Sequence, residues 1–317
     1  LVRLPLLQPF VISTGTMYDR IFPLLTLYSG EYAGYAEGVM DPLPDYLGET
    51  LPAAMALLKE LFLPMIVGKS FENPAALDKL LAPWRGHQMT KATVDMAFWD
   101  LWAKSLNLPL QTVLGGTGDA LVAAVRAAFP DIRLSVDANA CYTLADAGLL
   151  QKLDDLALDY IEQPLAWDDI QDHAVLQKRM TTPICLDECI NSVRACRQAL
   201  QADAARVINI KVARSGGYHT ALKMHDLAAA FDVPVWCGGM LESGIGRAHN
   251  IHLSTLPNFT KPGDVSSASR YFARDIIHEP LEATDGRMAV PQGAGIGVTL
   301  NESFLSEMTL STESFSA

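Results

Sequence analysis

The sequence has no stretch approaching 18 uninterrupted apolar residues, no Lys/Arg-rich run, no CxxC pair and no HExxH pattern. Each absence excludes a class of protein. Without a long apolar run no membrane-spanning helix is expected, and the opening LVRLPLLQPF is too short and too proline-rich to read as a signal peptide. A cytoplasmic protein with no membrane partner is the expectation. The 36 acidic residues outnumber the 24 basic ones, for a net charge of −12, which argues against a nucleic-acid backbone as partner and for a small molecule. Cys141, Cys185, Cys189, Cys196 and Cys237 are odd in number and scattered through apolar runs, so they read as reduced thiols rather than a disulfide framework or a zinc site. His249 and His252 stand at i, i+3, but with no HExxH pattern they read as ordinary helix histidines.

What is present is a chain of 317 residues, half of them hydrophobic, which supports a large core and excludes disorder. Its first hundred or so residues differ from the rest. FPLLTLYSG followed by EYAGYAEGV predicts an antiparallel hairpin, and the stretches 51–63 and 91–105 carry helix-period apolar positions, so this part is α+β. From about Asp119 the pattern becomes short apolar runs each followed by a helix of about a dozen residues. The pairs are IRLSVDAN and TLADAGLLQKL, LDYIEQP and DDIQDHAVLQK, TPICLDE and SVRACRQAL, RVINIKVA and YHTALKMHDLAAA, and VPVWCGG and SGIGRAHNIHL. Such alternation builds βαβ units and a parallel sheet.

The repeat can be measured. From Asp137, the positions Glu162, Asp187, Lys211 and Gly238 follow at steps of 25, 25, 24 and 27 residues. Equal phase places these residues at the C-terminal ends of successive strands, where a (β/α)₈ barrel builds its active site. A doubly wound open sheet is the structural alternative, but its phosphate-binding glycine turn follows the first strand. Here GGTG at 115–118 follows a helix. Period-2 phasing puts Asn209 and Lys211 on one face of VINIKVA and the aliphatic residues on the other.

Asp137, Glu162 and Asp187 would gather three carboxylates from adjacent strands, an arrangement that repels itself unless a cation is present. All-oxygen ligation suits Mg²⁺ or Mn²⁺. One such acid alone would read as a helix cap or a loop charge; three in register make that reading weak. Lys211 sits inside an apolar run on the polar face, where partial burial and a nearby cation favour its neutral form and let it act as a base. A metal beside a lysine base is a device for removing a proton from the carbon next to a carboxylate.

The series VDAN, IEQP, CLDE, INIKVARSGG, GGMLESGIG and PQGAGIGV, with KATVDMAFWDLWAK before it, resembles the muconate-lactonizing branch of the enolase superfamily. It is most similar there to the N-acylamino acid racemase and o-succinylbenzoate synthase members. Sites of this superfamily use a Lys or His base with Mg²⁺. The resemblance implies a (β/α)₈-type, modified TIM barrel at 117–279 under an α+β capping domain formed by 1–116 and the tail from about 280 to 317. It implies Asp137, Glu162 and Asp187 as ligands of Mg²⁺, with Mn²⁺ or Co²⁺ as substitutes, and Lys211 as the acid/base. Asn139 would lie near the metal and the substrate carboxylate. The loop from Ser13 to Met17, with Gly15, and the VWCGGML region, with Gly239 and Met240, would shape the substrate pocket. Ser243 opens the SGIG turn, whose backbone N–H groups would meet an anion or a substrate acyl oxygen.

The family's second lysine, in a K-x-K motif on the second barrel strand, has no counterpart in this sequence. After LGG at 114–116 the chain passes almost at once into the run that precedes DAN. The first two barrel strands are absent, a gap on the order of 40 to 50 residues in a barrel of ~250, and a barrel lacking two adjacent strands does not close. Retention of the other site residues in register favours a stretch missing from this sequence over a true deletion. The implied activity is racemisation of N-acyl amino acids through an enediolate. The alternative is o-succinylbenzoate synthesis, a syn-dehydration in menaquinone biosynthesis, or both activities on one site. A non-catalytic, metal-stabilised scaffold is the reading that a true loss of K-x-K would favour. The substrate is a small carboxylate in each enzymatic case, and relatives with this barrel assemble as homo-oligomers, often octamers.

Overall fold

The first forty positions hold two antiparallel hairpins, of which only the second shows a clear alternation of apolar and polar residues. In the first, β1 (Val2–Ile12) pairs with β2 (Gly15–Phe22), from Val2 opposite Phe22 to Ile12 opposite Gly15, with a shift of register between Pro5 and Phe10. Pro9 falls in that interval and has no N–H for the ladder. This hairpin was not foreseen, because its prolines mask the strand pattern. The second is the expected one: β3 (Leu24–Ser29) pairs with β4 (Tyr32–Glu37), and Gly30 takes φ +59 at the turn. The computed structural model describes residues 1–12, 15–44, 47–114, 135–156 and 158–315.

Next come α1 (Leu51–Leu57), which runs through a π-helical turn into α2 (Leu63–Ile66), and α3 (Pro74–Leu81), whose N-terminus is capped by the Asn73 side chain. Leu58, Phe62, Leu63, Ile66, Leu77, Leu81 and Val94 form a core of their own under these helices. The long α4 (Gln88–Ser105) is buried on most sides, holding even Thr90, Asp95 and Asp100 away from water. It packs on the β3–β4 hairpin and on two helices of the second half, so its sequence lacks the polar face of a surface helix. A short α5 (Leu110–Leu114) follows.

Among the described residues the second half holds a parallel sheet of five strands, β5 (Ser135–Asp137), β6 (Tyr160–Glu162), β7 (Ile184–Leu186), β8 (Val207–Asn209) and β9 (Val235–Trp236). Their spatial order is their chain order. A doubly wound sheet would reverse direction at a switch point; this one keeps turning the same way, as a barrel wall does. A parallel bridge from Val235 to Phe259 continues the wall by one more position. The helices between are α6 (Ala147–Leu150), α7 (Ile170–Gln177), α8 (Val193–Gln201), α9 (Val212–Ser215), α10 (Tyr218–Ala230) and α11 (Gly244–Leu253). The helix expected over TLADAGLLQKL is broken instead: tight 3₁₀ turns at Leu144–Asp146 and Gln151–Leu156 flank α6. Asp154 in the second turn accepts from the Thr181 and Thr182 amides at 3.0 and 2.8 Å, which ties that turn to the neighbouring loop. The run expected as a helix before the DAN strand lies outside the described residues.

The chain ends in a small hairpin, β10 (Ala283–Thr284) with β11 (Arg287–Met288), and α12 (Glu302–Met308). Bridges from Thr309 to Val2 and from Gly295 to Pro109 lay this tail against the first part of the chain.

Candidate active site

Period-2 alternation stacks the strand residues in two layers. Tyr160, Cys185, Val207 and Trp236 form a buried cluster at the lower level, with the Tyr160 and Trp236 rings stacked at 5.9 Å and the indole N–H donating to Cys185 Sγ at 3.2 Å. Two residues further along each strand lie Glu162, Asp187, Asn209 and Gly238, beside Asp137 at the end of β5. The polar layer therefore rests on an apolar floor, and its position follows from strand phase alone.

Asp137 and Glu162 are register partners on β5 and β6. Both oxygens of Asp137 accept from Asn139, from its backbone N–H at 2.9 Å and its side-chain amide at 2.7 Å. Glu162 is buried and accepts from Asn209 Nδ2 at 2.8 Å. Burial, then the neighbouring charge of Asp137, pushes its carboxyl up to about 8. Asn209 in turn accepts from the Gly238 N–H at 2.8 Å, so β6, β8 and β9 are joined through one side-chain amide. Asn139, Ala140 and Gln163 have φ of 41, 58 and 35°, left-handed backbone at the ends of the two carboxylate strands. Such strain persists only where surrounding contacts enforce it. Gln163 supplies some of them: its Oε1 accepts from the Asp187 amide at 3.0 Å and its Nε2 donates to Cys189 Sγ at 3.1 Å.

Lys211 does not lie within a strand as the sequence pattern suggested. The strand stops at Asn209, and Lys211 is the N-cap residue of α9, because the chain turns there toward the Gly216–Gly217 pair, with φ of 92 and 109°. The side chain is buried and Nζ donates to Asp187 Oδ2 at 2.8 Å. The Arg214 guanidinium contacts the other oxygen of Asp187 and donates to the Asn209 carbonyl at 2.7 Å. Arg214 and Gln163 are participants that sequence reasoning missed, and Asn209 was placed on the polar face but given no role. Their signal was available only in part: Asn209 shares the polar phase with Lys211, whereas the roles of Arg214 and Gln163 depend on loop geometry.

The donor set is suited to a hard divalent cation. Its carboxylates supply only oxygen, and Asp137 beside a buried, upward-shifted Glu162 is a carboxylate pair whose repulsion a cation would relieve. Among the described residues, however, no three carboxylate, histidine or cysteine groups converge closely enough to hold an ion. Asp187 is engaged by Lys211 and Arg214 instead.

The expected pocket residues are spread over two regions. Gly15 opens β2 at the first hairpin turn and Met17 pairs with Phe10 on that hairpin; Ser13 lies outside the described residues. Gly239 and Met240 follow β9, and a Cβ on Gly239 would stand 2.8 Å from the Asp264 carbonyl, so the two segments approach closely. The SGIG amides expected to face a substrate anion are occupied by the protein's own carboxylates. The Ser243 N–H reaches Glu37 at 3.0 Å, the Gly246 N–H reaches Glu37 at 3.3 Å, and the Gly244 N–H reaches Asp275 at 2.9 Å. A helix N-terminus attracts a carboxylate from within the fold as readily as one from a ligand.

Two family models divide the chain: one for the mandelate racemase/muconate lactonizing enzyme N-terminal domain matches residues 2–115, and one described as enolase C-terminal domain-like matches 117–304. An N-succinylamino acid racemase of Thermus thermophilus is 46% identical, over 98% of this chain and 95% of its own length. That alignment runs over 352 positions against the 317 residues here, a difference of 35, so part of the relative has no counterpart in this sequence. An o-succinylbenzoate synthase of Geobacillus kaustophilus is 40% identical over 93% of this chain and 90% of that protein. Among solved structures, an enolase superfamily member from Listeria innocua superimposes with a TM-score of 0.92 at 38% identity, over 98% of this chain and 96% of the other.

Proposed function

The chain belongs to the mandelate racemase/muconate lactonizing enzyme family of the enolase superfamily, and from that membership we propose that it is a divalent-metal-dependent racemase of N-acyl amino acids, with N-succinyl amino acids as the substrate class. Enzymes of this superfamily use a divalent metal. Asp137, Glu162 and Asp187 are the residues that would hold it here, with Mg²⁺ as the ion. A divalent cation held there would supply positive charge to offset the negative charge that develops on the substrate carboxylate.

The rest falls to the protein. Lys211 takes the α-proton of one enantiomer onto Nζ and, in the reverse direction, delivers a proton to that same face; the observation that carries this role is its placement on Asp187 at 2.8 Å, beside the carboxylate layer and above a buried floor. Asn139 holds both oxygens of Asp137, and Asn209 fixes Glu162, so the acids are oriented before substrate arrives. Gly239 and Met240, with Gly15 and Met17 from the first hairpin, would line the pocket for the side chain and acyl group, and Ser243 supports that pocket from behind. The division at residue 116 separates a capping domain from the barrel, and a cytoplasmic homo-oligomer is the expected state.

Inversion requires a second proton donor on the opposite face, and the sequence has no K-x-K motif to supply it. Exchange on one face is what Lys211 delivers by itself. Incubating N-succinyl-L- and D-amino acids in D₂O with Mg²⁺ is therefore the test. Deuterium uptake with loss of optical activity supports a racemase whose second base comes from residues other than a K-x-K pair. Uptake by a single enantiomer with retention identifies a one-base site in this chain. No uptake by either enantiomer refutes the proposal. Dehydration to o-succinylbenzoate is the second reading, favoured by the relatives that carry that name; comparing kcat/KM for the two substrates separates them.

A further inference from the structure

Glu37 is the last residue of the β3–β4 hairpin, fully buried, and its carboxylate projects into the start of α11 in the other half of the chain. It accepts from the Ser243 N–H at 3.0 Å and the Gly246 N–H at 3.3 Å, and it contacts the Ser243 hydroxyl. The fit is close: a Cβ on Gly246 would stand 3.0 Å from Glu37 Cδ and 2.7 Å from Glu242 Cβ. Glu242, also buried, holds the Met240 N–H at 2.8 Å and Asn250 Nδ2 at 2.8 Å. Between these anchors Leu241 has φ 58°, a conformation that a branched, bulky residue adopts only when held there. At the near end of the same turn, Gly238 lies directly against Lys211 and Asn209.

We propose that Glu37 is a positioning residue for the reaction: it fixes the turn 238–243 from the first hairpin and thereby sets where Lys211 stands. The path consists of direct contacts, from Glu37 to Ser243, through the strained turn, to Gly238 and the lysine stem. A carboxylate buried this way is costly. Burial raises the Glu37 carboxyl to about 7, with Glu242 pushing in the same direction and Ser243 and Arg20 opposing it. Asp275 and Arg247 are the other charged groups at this end of α11. A group kept in spite of such a cost is one whose removal can spare stability while harming function.

The inference rests on Lys211 acting as the base, so the experiment has an arm that does not need activity. In Glu37→Gln, which keeps the shape, amide hydrogen exchange across 238–246 should accelerate while Mn²⁺ affinity stays unchanged. The melting temperature at pH 8 should not fall. In the α-proton exchange assay kcat should drop about tenfold while KM moves less than threefold, a loss expected from a sub-ångström shift of the base. Unchanged protection across 238–246 overturns the inference whatever the activity. So does a fall in melting temperature that accounts for the lost activity, which would make Glu37 merely structural. If the wild-type chain exchanges no α-proton, the functional reading fails, and the hydrogen-exchange arm still decides whether Glu37 fixes the turn.

Discussion

Gly238→Ala is the most direct perturbation of the lysine's position. An added Cβ would stand 2.5 Å from Lys211 Cε, 2.5 Å from Asn209 Nδ2 and 2.8 Å from Asn209 Oδ1, where ordinary contact begins at 3.4 Å. About 1 Å must be yielded by one side or the other. Asn209 is poorly able to yield, since its amide is bonded at both ends, to Glu162 and to the Gly238 N–H, at 2.8 Å each. The lysine stem moves and draws Nζ away from Asp187, and the two short contacts to Asn209 are relieved by a shift of the chain at position 238. A misplacement of ~1 Å at a reacting group costs roughly 10²-fold in rate, or about 2.7 kcal/mol on the barrier. Stability should also fall, by about 1–3 kcal/mol, the range for an added methyl group that a packed site must absorb. The assay is deuterium uptake at the α-carbon of an N-succinyl amino acid by NMR, with Mn²⁺ binding and the melting temperature measured on the same protein. Wild-type kcat in the variant would refute the reasoning, and so would a loss of metal binding that explains the loss of exchange.

Other outcomes follow from the same geometry. Lys211→Ala should abolish α-proton exchange and leave Mn²⁺ binding intact; retained turnover rules it out as the base. Chelation should remove exchange and readdition of Mg²⁺ or Mn²⁺ restore it, whereas exchange that survives exhaustive chelation contradicts a metal-dependent site. Asp95, buried in α4 and accepting from the Tyr218 N–H at 2.8 Å, has its carboxyl pushed up to about 8, chiefly by burial. Because the folded state favours the protonated form, stability falls as pH rises from the ordinary aspartate value of ~3.9 toward 8. Asp95→Asn keeps the acceptor and removes the charge, so it should raise the melting temperature above pH 8 and change it little near pH 4. The reverse pattern would contradict the buried-charge account. If a stretch absent after Gly116 belongs to the protein, peptide mapping of material from its native source should recover a peptide in which further residues follow Gly116, on the order of 40 to 50 of them before the run leading to Asp137; a peptide reading straight from Gly116 into Thr117 and Gly118 identifies a true deletion.

Phase was the part of this protein most readable in the sequence. Steps of 24 to 27 residues between Asp137 and Gly238 set the phase of the repeat, and the strands ending at Asp137 and Glu162 lie where that spacing puts them, whereas β8 ends at Asn209, two residues short of the Lys211 that the spacing marked. The hairpin at Leu24–Glu37 was readable for the same reason, since a period of two survives in any strand with one covered face. The β1–β2 hairpin was not, because Pro5 and Pro9 interrupt its pattern, and pairing with a neighbour supplied what local propensity lacked.

By itself the sequence determined the order of the strands and the phase that sets Asp137, Glu162 and Asp187 at or just past their ends, because covalent spacing and strand periodicity act residue by residue. Tertiary structure alone decided the partners. Arg214 beside Lys211 on Asp187, Gln163 joining two loops, and Glu37 filling the SGIG turn from 206 residues away are contacts between segments that share no local pattern. A buried donor or acceptor must find a partner wherever the fold brings one within reach, and chain separation carries no information about which one it will be.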